Sequence, residues 1–174
     1  MPTPRYVAGN SITLLKNGTD FFPALEAAID SALTEVHLET YIFADDTVGR
    51  RIAAALRRAA QRQVIVRIVI DGFGSHDFFP PQMADALLKS GVEVFIYRTE
   101  AFRFSFRRYR LRRMHRKIAM IDGHTAFIGG INISESYSSG PFTKSTKKSG
   151  VNTLGWRDTQ LQIEGPVVTQ FQKL

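Results

Sequence analysis

The 174-residue chain contains no cysteine, and none of its apolar runs reaches the ~18 residues that a membrane-spanning helix needs. The missing thiols exclude disulfides and thiolate chemistry, which fits a cytosolic protein. The stretch Met1–Ser11 is polar and holds two prolines, so no signal peptide is predicted. The length suffices for one well-cored domain but not for two large ones.

The whole chain has a formal net charge of +7. Acidic residues are missing from one stretch, Phe102–Lys117, which carries eight Arg or Lys. Such a block predicts an anionic partner, either nucleic acid, an acidic lipid or a phosphorylated substrate; a solvated positive loop is the alternative. Four aromatic residues alternate with the arginines and could seat at a lipid interface, stack on bases or lie under a loop: Phe102, Phe104, Phe106 and Tyr109.

Strand and helix patterns alternate along the chain. The predicted strands are Ser11–Leu15, Glu35–Phe43, Val64–Ile70, Val92–Tyr97, Arg116–Ile121, Thr125–Gly129 and Trp156–Glu164. The predicted helices begin after an Asn17-Gly18 turn and an Asp20 cap, after an Asp45 or Asp46 cap, at Pro81 and at Pro166. This order favours an α/β fold with a mixed, mostly parallel central sheet flanked by helices. The β-branched run Val64–Ile70 is typical of a strand buried on both faces. Ser138–Leu154 is predicted to be a mobile surface loop.

One β-hairpin collects the residues that can do chemistry. It reads HRKIAMIDGHTAFIGGINIS from His115 to Ser134. Side chains alternate along a strand, so His115 and Lys117 point the same way. A turn at Gly123-His124 places Asn132 opposite His115, and a turn at Asp122-Gly123 shifts that register by two. Both registers return the same three residues beside the His-x-Lys pair: Gly129, Gly130 and Asn132.

These residue types suit a phosphodiester. A neutral imidazole such as that of His115 can attack phosphorus and leave again, and Lys117 can neutralise a non-bridging oxygen. Asn132 can donate a hydrogen bond to the anion, and Gly130 lets the backbone approach it. Ser134 is predicted to cap a short helix whose amides face the phosphate. This chemistry requires no cofactor, and no His and carboxylate cluster shows clear metal-ligand spacing.

The spacing His-x-Lys, four residues, Asp, six residues, Gly-x-x-Asn resembles the HKD motif of the phospholipase D superfamily. The fixed positions are filled by His115, Lys117, Asp122, Gly129 and Asn132. Four stretches further resemble the bacterial cardiolipin synthases: LETYIFADDTVGRRIAAALRRAAQR, VRIVIDGFGS, RRMHRKIAMIDGHTAFIGGINIS and WRDTQLQIEGP. Together they cover most of the chain from residue 10 onward.

The resemblance implies a phospholipase D-like α/β/α sandwich and an active site built from two HKD motifs. One histidine forms a phosphohistidine, and the other protonates the leaving alkoxide and then deprotonates the incoming alcohol. By this resemblance His115 is the nucleophile, while Lys117 and Asn132 bind phosphate. Asp122 belongs to the catalytic motif, although its place at a turn favours a structural role. Asp158 is, by position, the acid that orients the histidine, or else a strand acid paired with Arg157.

Two acids are weaker candidates for the site. Glu39 could reach the active site, or pair with an arginine on its strand. Asp71 follows a buried strand, where ligands often bind in open α/β sheets, or it serves a turn. The other histidines, His37, His76 and His124, are interpreted as structural or exposed.

Only one HKD motif is present, because none of those three histidines begins a His-x-Lys pair. We therefore expect residues 1–174 to be a single domain from the amino-terminal part of a longer chain. A second HKD half would come from that same chain or from a homodimer.

The first hypothesis for function is a phosphatidyltransferase that makes cardiolipin from phosphatidylglycerol or another anionic phospholipid. It would work peripherally at the cytoplasmic side of the bacterial inner membrane, attracted by the arginine run. The alternative is a single-motif, homodimeric nuclease or phosphodiesterase of the same superfamily, acting on nucleic acid. A third possibility is a half that binds anionic surfaces without turnover.

Overall fold

The computed structural model describes residues 6–98, 113–138 and 157–171. Within these ranges one seven-stranded sheet has the order β1-β7-β6-β5-β2-β3-β4. The strands are β1 Ser11–Lys16, β2 Glu35–Thr40, β3 Ile65–Asp71, β4 Glu93–Tyr97, β5 Ile118–Ile121, β6 Thr125–Gly129 and β7 Thr159–Glu164. The helices are α1 Asn17–Ser31, α2 Thr47–Gln61, α3 Pro81–Lys89 and α4 Val168–Phe171, with a 3₁₀ turn at Glu135–Tyr137.

The sheet is mixed and flanked by helices, as predicted, but the expectation that it is mostly parallel is wrong. Strands β2, β3 and β4 pair in parallel through helical crossovers. The β5–β6 hairpin can pair only antiparallel, and its neighbours β2, β7 and then β1 continue antiparallel. The sheet therefore has a parallel part, β2-β3-β4, and a larger antiparallel part, β1-β7-β6-β5. The two parts meet where β5 lies against β2.

Helices α1 and α2 cover one face of the sheet and form the main core with it. Fully buried members of this core include Leu25, Ile29, Ile52, Leu56, Ile68, Ile70 and Phe127. A smaller apolar cluster on the opposite face, beneath α4, contains Met120, Ala126, Ile163 and Val168. The expectation that β3 is buried on both faces is wrong, because Ile65 is 48% exposed and Arg67 also faces outward.

Helix boundaries follow local signals in most places. Asp46 caps α2 as predicted, since its Oδ1 accepts a hydrogen bond from the Gly49 amide at 2.9 Å. The predicted Asn17-Gly18 turn and Asp20 cap are wrong: α1 begins at Asn17, and Asp20 instead accepts the Lys16 amide from inside the first turn. The last helix begins at Val168, two residues beyond Pro166.

The turn between β5 and β6 differs from both predicted registers. Ile121 pairs with Thr125, so the connection has three residues rather than two. Two of them, Asp122 and Gly123, adopt positive φ values of 53° and 62°. The observed register places Lys117 beside the glycine that ends β6, and the Gly129 amide donates to the Lys117 carbonyl at 3.3 Å.

The basic aromatic block, apart from its last residues, and the predicted loop after Ser138 lie outside the described residues. In the part of the chain that the structure describes, no helix combines the length and apolarity needed to cross a membrane.

Candidate active site

The candidate site lies at the open end of the β5–β6 hairpin, where three chain segments meet. His115 and Lys117 precede β5, Gly129 and Gly130 close β6, and Asp158 precedes β7. The Gly130 amide donates to the Thr159 carbonyl at 3.2 Å, which joins the second and third segments. The structure therefore brings together the imidazole, the ammonium group and the bare backbone that the sequence predicted to converge.

The His115 side chain is exposed and packs on one partner that the sequence did not single out. The rings of His115 and Tyr41 lie 4.9 Å apart between centroids, at an interplanar angle of 50°. The same tyrosine ring lies 5.3 Å from Lys117 Nζ. Tyr41 therefore touches both members of the His-x-Lys pair and supports one side of the imidazole.

Lys117 is buried, with 6% of its surface exposed. Its Nζ donates to the His115 carbonyl at 3.0 Å, which leaves further N–H bonds of the ammonium group for another acceptor. Burial lowers the pKa of Lys117 below the ordinary 10.5, and the negative charge of Asp158 partly opposes this shift. A buried cation of this kind is well suited to a phosphate oxygen, which would restore the lost solvation.

Asn132 is also buried, and neighbours hold its amide in one orientation. Its Oδ1 accepts the Ile42 amide at 3.1 Å, while its Nδ2 donates to the Tyr137 hydroxyl at 2.8 Å. The amide nitrogen carries two hydrogens, so Tyr137 accounts for one of them. The remaining hydrogen is the one available for the predicted phosphate contact.

The Asp158 carboxylate lies directly against Gly130. A Cβ built on Gly130 would overlap both Asp158 carboxylate oxygens, so any larger residue would have to displace the Asp158 side chain. Asp158 Oδ1 accepts the Thr159 amide at 2.8 Å, and the Asp158 backbone exchanges hydrogen bonds with Asn17. Among the described residues no hydrogen bond joins Asp158 to His115, so its orienting role stays a prediction.

Asp122 lies at the other end of β5, roughly 17 Å along the strand from Lys117 at ~3.3 Å per residue. Its carboxylate accepts the amides of the three residues Leu33–Glu35 and the Thr34 hydroxyl, at 2.8 to 2.9 Å. These bonds account for its place in the motif as an anchor between the turn and the start of β2. The catalytic assignment of Asp122 is wrong on this geometry.

Ser134 caps a helix as predicted, but the helix is only the three-residue 3₁₀ turn Glu135–Tyr137. The Ser134 hydroxyl donates to Asp46 Oδ2 at 3.0 Å, and the same oxygen accepts the Glu135 amide at 2.7 Å. A carboxylate thus occupies the position expected for phosphate. This contradicts the assignment of Ser134 as a phosphate ligand.

Glu39 lies on the opposite face of the sheet from Lys117. Its Oε1 is 2.9 Å from His37 Nε2, and its Oε2 is 2.8 Å from Arg116 Nε, a contact whose angle makes it an ion pair rather than a hydrogen bond. The His37 contact, and to a lesser extent Arg116, hold the pKa of Glu39 below its usual value despite burial, which acts to raise it. Glu39 therefore fits the alternative, a strand acid paired with an arginine, and borders a groove of about 520 Å³ on that face.

The described residues contain no group of three or more His, Cys, Asp or Glu side chains placed to hold a metal ion. The remaining histidines lie apart from the site. His37 contacts Glu39, His76 contacts Asp77 at 2.8 Å, and His124 lies exposed in the hairpin turn.

Comparison with known proteins identifies the family. The family profile described as "Cardiolipin synthase, PLD-like domain" matches residues 25–140. This chain belongs to that family. It is 39% identical to cardiolipin synthase B of Shigella flexneri over 162 residues, which are 92% of this chain and 36% of that protein. The chain thus spans about a third of the length of the curated relatives it matches.

Solved structures share the fold of this family member. The phospholipase D family member Nuc from Salmonella typhimurium superposes with a TM-score of 0.63 at 21% identity, covering 95% of this chain and 91% of that chain. The phosphatidylserine synthase of Haemophilus influenzae gives 0.66 at 18% identity, covering 93% and 35%. At these identities the likeness establishes the phospholipase D-like architecture.

Sequence reasoning missed two residues of this cardiolipin synthase-like site. Tyr41 follows β2 within LETYIF, a stretch that carries the family resemblance, and that stretch was the available signal. Gln160 is buried on β7, where its side chain binds the Ile131 amide at 3.3 Å and the Lys117 carbonyl at 3.4 Å. It thereby ties the two arms of the motif together. A glutamine alternating with apolar residues on a strand gave no hint of this position.

Proposed function

We propose that this chain is one catalytic half of a phosphatidyltransferase of the cardiolipin synthase type, with His115 as its nucleophile. The observation that carries the proposal is that Tyr41 contacts both His115 and Lys117, while the amide of the next residue, Ile42, binds Asn132. Family membership and 39% identity to a cardiolipin synthase over 92% of the chain support a phospholipid phosphodiester as the substrate.

The first step is the formation of a bond between a His115 ring nitrogen and the phosphorus of phosphatidylglycerol. The bond from phosphorus to the glycerol oxygen breaks, and the alkoxide takes a proton from a histidine of the second HKD half. Lys117 and the second Asn132 Nδ2 hydrogen bind the non-bridging oxygens. They thereby stabilise the negative charge on these oxygens while the displacement takes place. Tyr41 supports the imidazole on one side, so that its open side faces the phosphate.

In the second step an alcohol attacks the phosphohistidine. The second histidine removes the alcohol proton, the new phosphorus–oxygen bond forms, and the His115–phosphorus bond breaks. A hydroxyl of phosphatidylglycerol as acceptor gives cardiolipin. Holding both reactants at one site makes the transfer effectively intramolecular, which is a large part of the rate gain.

The second half comes from the same longer protein or from a second copy. A two-motif chain is supported by the relatives, of which this chain covers about a third. Residues 1–174 would then form one phospholipase D-like domain with a single HKD motif. The complete enzyme would bind anionic phospholipid peripherally, at the cytoplasmic side of the bacterial inner membrane, with its basic block near the headgroups.

The test uses the full-length protein that contains this chain, with phosphatidylglycerol vesicles and, separately, with DNA. We expect wild type to produce cardiolipin and glycerol, and His115→Ala to produce neither. His124→Ala is the matched control, because that histidine is exposed in the turn at the far end of the hairpin.

A result of DNA cleavage that depends on His115, with no lipid product, would instead establish the homodimeric nuclease. The observation that favours this alternative is the likeness to Nuc, which covers 91% of that chain. Vesicle binding without any product from either substrate would leave an anionic-surface binder. Each of these results would contradict the transferase proposal.

A further inference from the structure

A buried carboxylate outside the motif touches the segment that carries the nucleophile. Asp71 ends β3 and is fully buried. Its Oδ1 accepts the amides of Phe73 and Gly74 at 2.9 and 3.0 Å, and its Oδ2 accepts the amide of Met114 at 2.8 Å. Two of these bonds shape its own loop, but the third crosses to a residue 43 positions away.

The crossing bond lies one residue before His115. The chain from Arg113 to Lys117 is outside the regular ladder, since β5 begins only at Ile118. Among the described residues, the one backbone–backbone hydrogen bond of this segment joins the Gly129 amide to the Lys117 carbonyl. The bond from Met114 to Asp71 supplies a fixed point next to the nucleophile, and a charged acceptor makes it one of the stronger kinds.

The same loop also fixes Tyr41, the residue that supports the His115 ring. Ser75, itself buried, donates its hydroxyl to the Tyr41 carbonyl at 3.0 Å. Gly74 lies so close to Tyr41 that an added Cβ would overlap both its carbonyl and its ring. The loop Asp71–Ser75 thus reaches His115 by two independent routes, one through Met114 and the other through Tyr41.

We propose that the loop Asp71–Ser75 positions the nucleophile, with Asp71 as its positioning residue. This inference rests on the proposed function only in taking His115 as the nucleophile. Asp71 does not contact substrate, and its effect passes through the Met114 backbone and the Tyr41 ring. If Asp71 served only its own turn, the two bonds within the loop would suffice. The third bond, to Met114, is not explained by that local role.

The decisive variant is Asp71→Asn in the full-length protein. An asparagine keeps one acceptor oxygen, so its amide group must face either the loop amides or Met114, and one side loses its acceptor. We expect kcat to fall about 10- to 100-fold through displacement of His115, with KM little changed. The reaction of diethyl pyrocarbonate with His115, followed by mass spectrometry, should change several-fold relative to its reaction with His124.

Asp122→Asn is the matched control, because Asp122 also accepts several backbone amides but lies at the far end of the hairpin. It should lower the melting temperature while leaving kcat and the reactivity of His115 unchanged. Ser75→Ala is the milder second variant, and should shift His115 reactivity in the same direction by weakening the hold on Tyr41. Melting temperatures are measured for all three variants.

Unchanged His115 reactivity and kcat in both Asp71→Asn and Ser75→Ala would overturn the inference, as would an equal loss of kcat in Asp122→Asn. The chemical labelling does not depend on turnover. If wild type proves inactive on phospholipid, the proposed function fails, while the labelling of His115 still decides whether the loop positions it.

Discussion

The two ends of the β5–β6 hairpin use the same kinds of polar residue for different purposes. At the turn end, the Asp122 carboxylate accepts three backbone amides and a hydroxyl, all from the residues that lead into β2. At the open end, the His115 imidazole is exposed, and Lys117 Nζ donates to the His115 carbonyl. At the turn, the Asp122 carboxylate is occupied by hydrogen bonds within the protein. At the open end, His115 and Lys117 retain groups that can bind a ligand.

This difference explains why one motif contains residues with separate tasks. Asp122 holds the turn at the far end of the hairpin, where its φ is 53° and its carboxylate binds the residues that lead into β2. In the proposed mechanism, the Asp of the motif therefore serves geometry, and its His and Lys serve chemistry. If so, changes at the open end should remove activity at little cost in stability, and changes at the turn should do the reverse.

The largest effect is expected for His115→Ala, which removes the nucleophile. Phosphotransfer should fall on the order of 10⁴-fold or more, because the variant loses the imidazole that forms the covalent intermediate in the proposed mechanism. The melting temperature should change little, since the side chain is exposed. Product formation measured beside His124→Ala, which should retain wild-type rates, checks the prediction.

Lys117→Met should come next. Methionine keeps much of the buried stem but removes the charge that faces the phosphate, so kcat should fall about 10²- to 10³-fold. Lys89→Met, at the exposed end of α3, is the matched control for loss of one positive charge. Equal rate losses in the two variants would show that overall charge, rather than the site, is responsible.

Asp158→Asn should shift the pH dependence rather than abolish activity. Burial lowers the pKa of Lys117, and the Asp158 charge partly restores it. Lysine is charged below its pKa, so activity that needs this charge should decline as pH rises through a value lower than the ordinary 10.5. Without the Asp158 charge the decline should begin at a still lower pH. A profile of kcat/KM for both proteins tests this, and an unmoved alkaline limb would contradict the coupling.

The smallest effect on activity is expected for Asp122→Ala, whose loss should be in stability, by about 1–3 kcal/mol. Burial acts to raise the pKa of Asp122, but its hydrogen bonds together hold that pKa below the ordinary 3.8. The stabilisation from these bonds is thus fully present above the pKa that Asp122 has in the unfolded state. It is lost as pH falls through the lower pKa of the folded state. Urea unfolding from pH 7 to pH 3 should show a shallower acid decline in the variant than in wild type.

Local patterns predicted much of the fold and the central site. The β-branched run of β3, the Asp46 cap and the HKD spacing each depend on neighbouring residues, so they could be found in one sequence. The share of parallel pairing could not be predicted in this way, because pairing joins segments far apart. The hairpin register also failed, since a three-residue turn with Asp122 at positive φ depends on its contact with Leu33–Glu35.

The supporting residues of the site were harder to predict than the motif. Tyr41 and Gln160 act through contacts with chain segments 74 and 43 residues away, respectively. Asp71 was singled out only for its position after a strand, and nothing local indicated its bond to Met114. Ser134 was misassigned because the sequence could not show that its hydroxyl donates a hydrogen bond to Asp46.

The measurement that tests the central claim most directly is the capture of a covalent intermediate. Full-length protein is mixed with isotopically labelled phosphatidylglycerol, quenched within seconds at alkaline pH, and digested for mass spectrometry. The account predicts a phosphatidyl adduct on His115, absent from His115→Ala and present in His124→Ala. An adduct on another residue, or turnover that persists in His115→Ala, would contradict it.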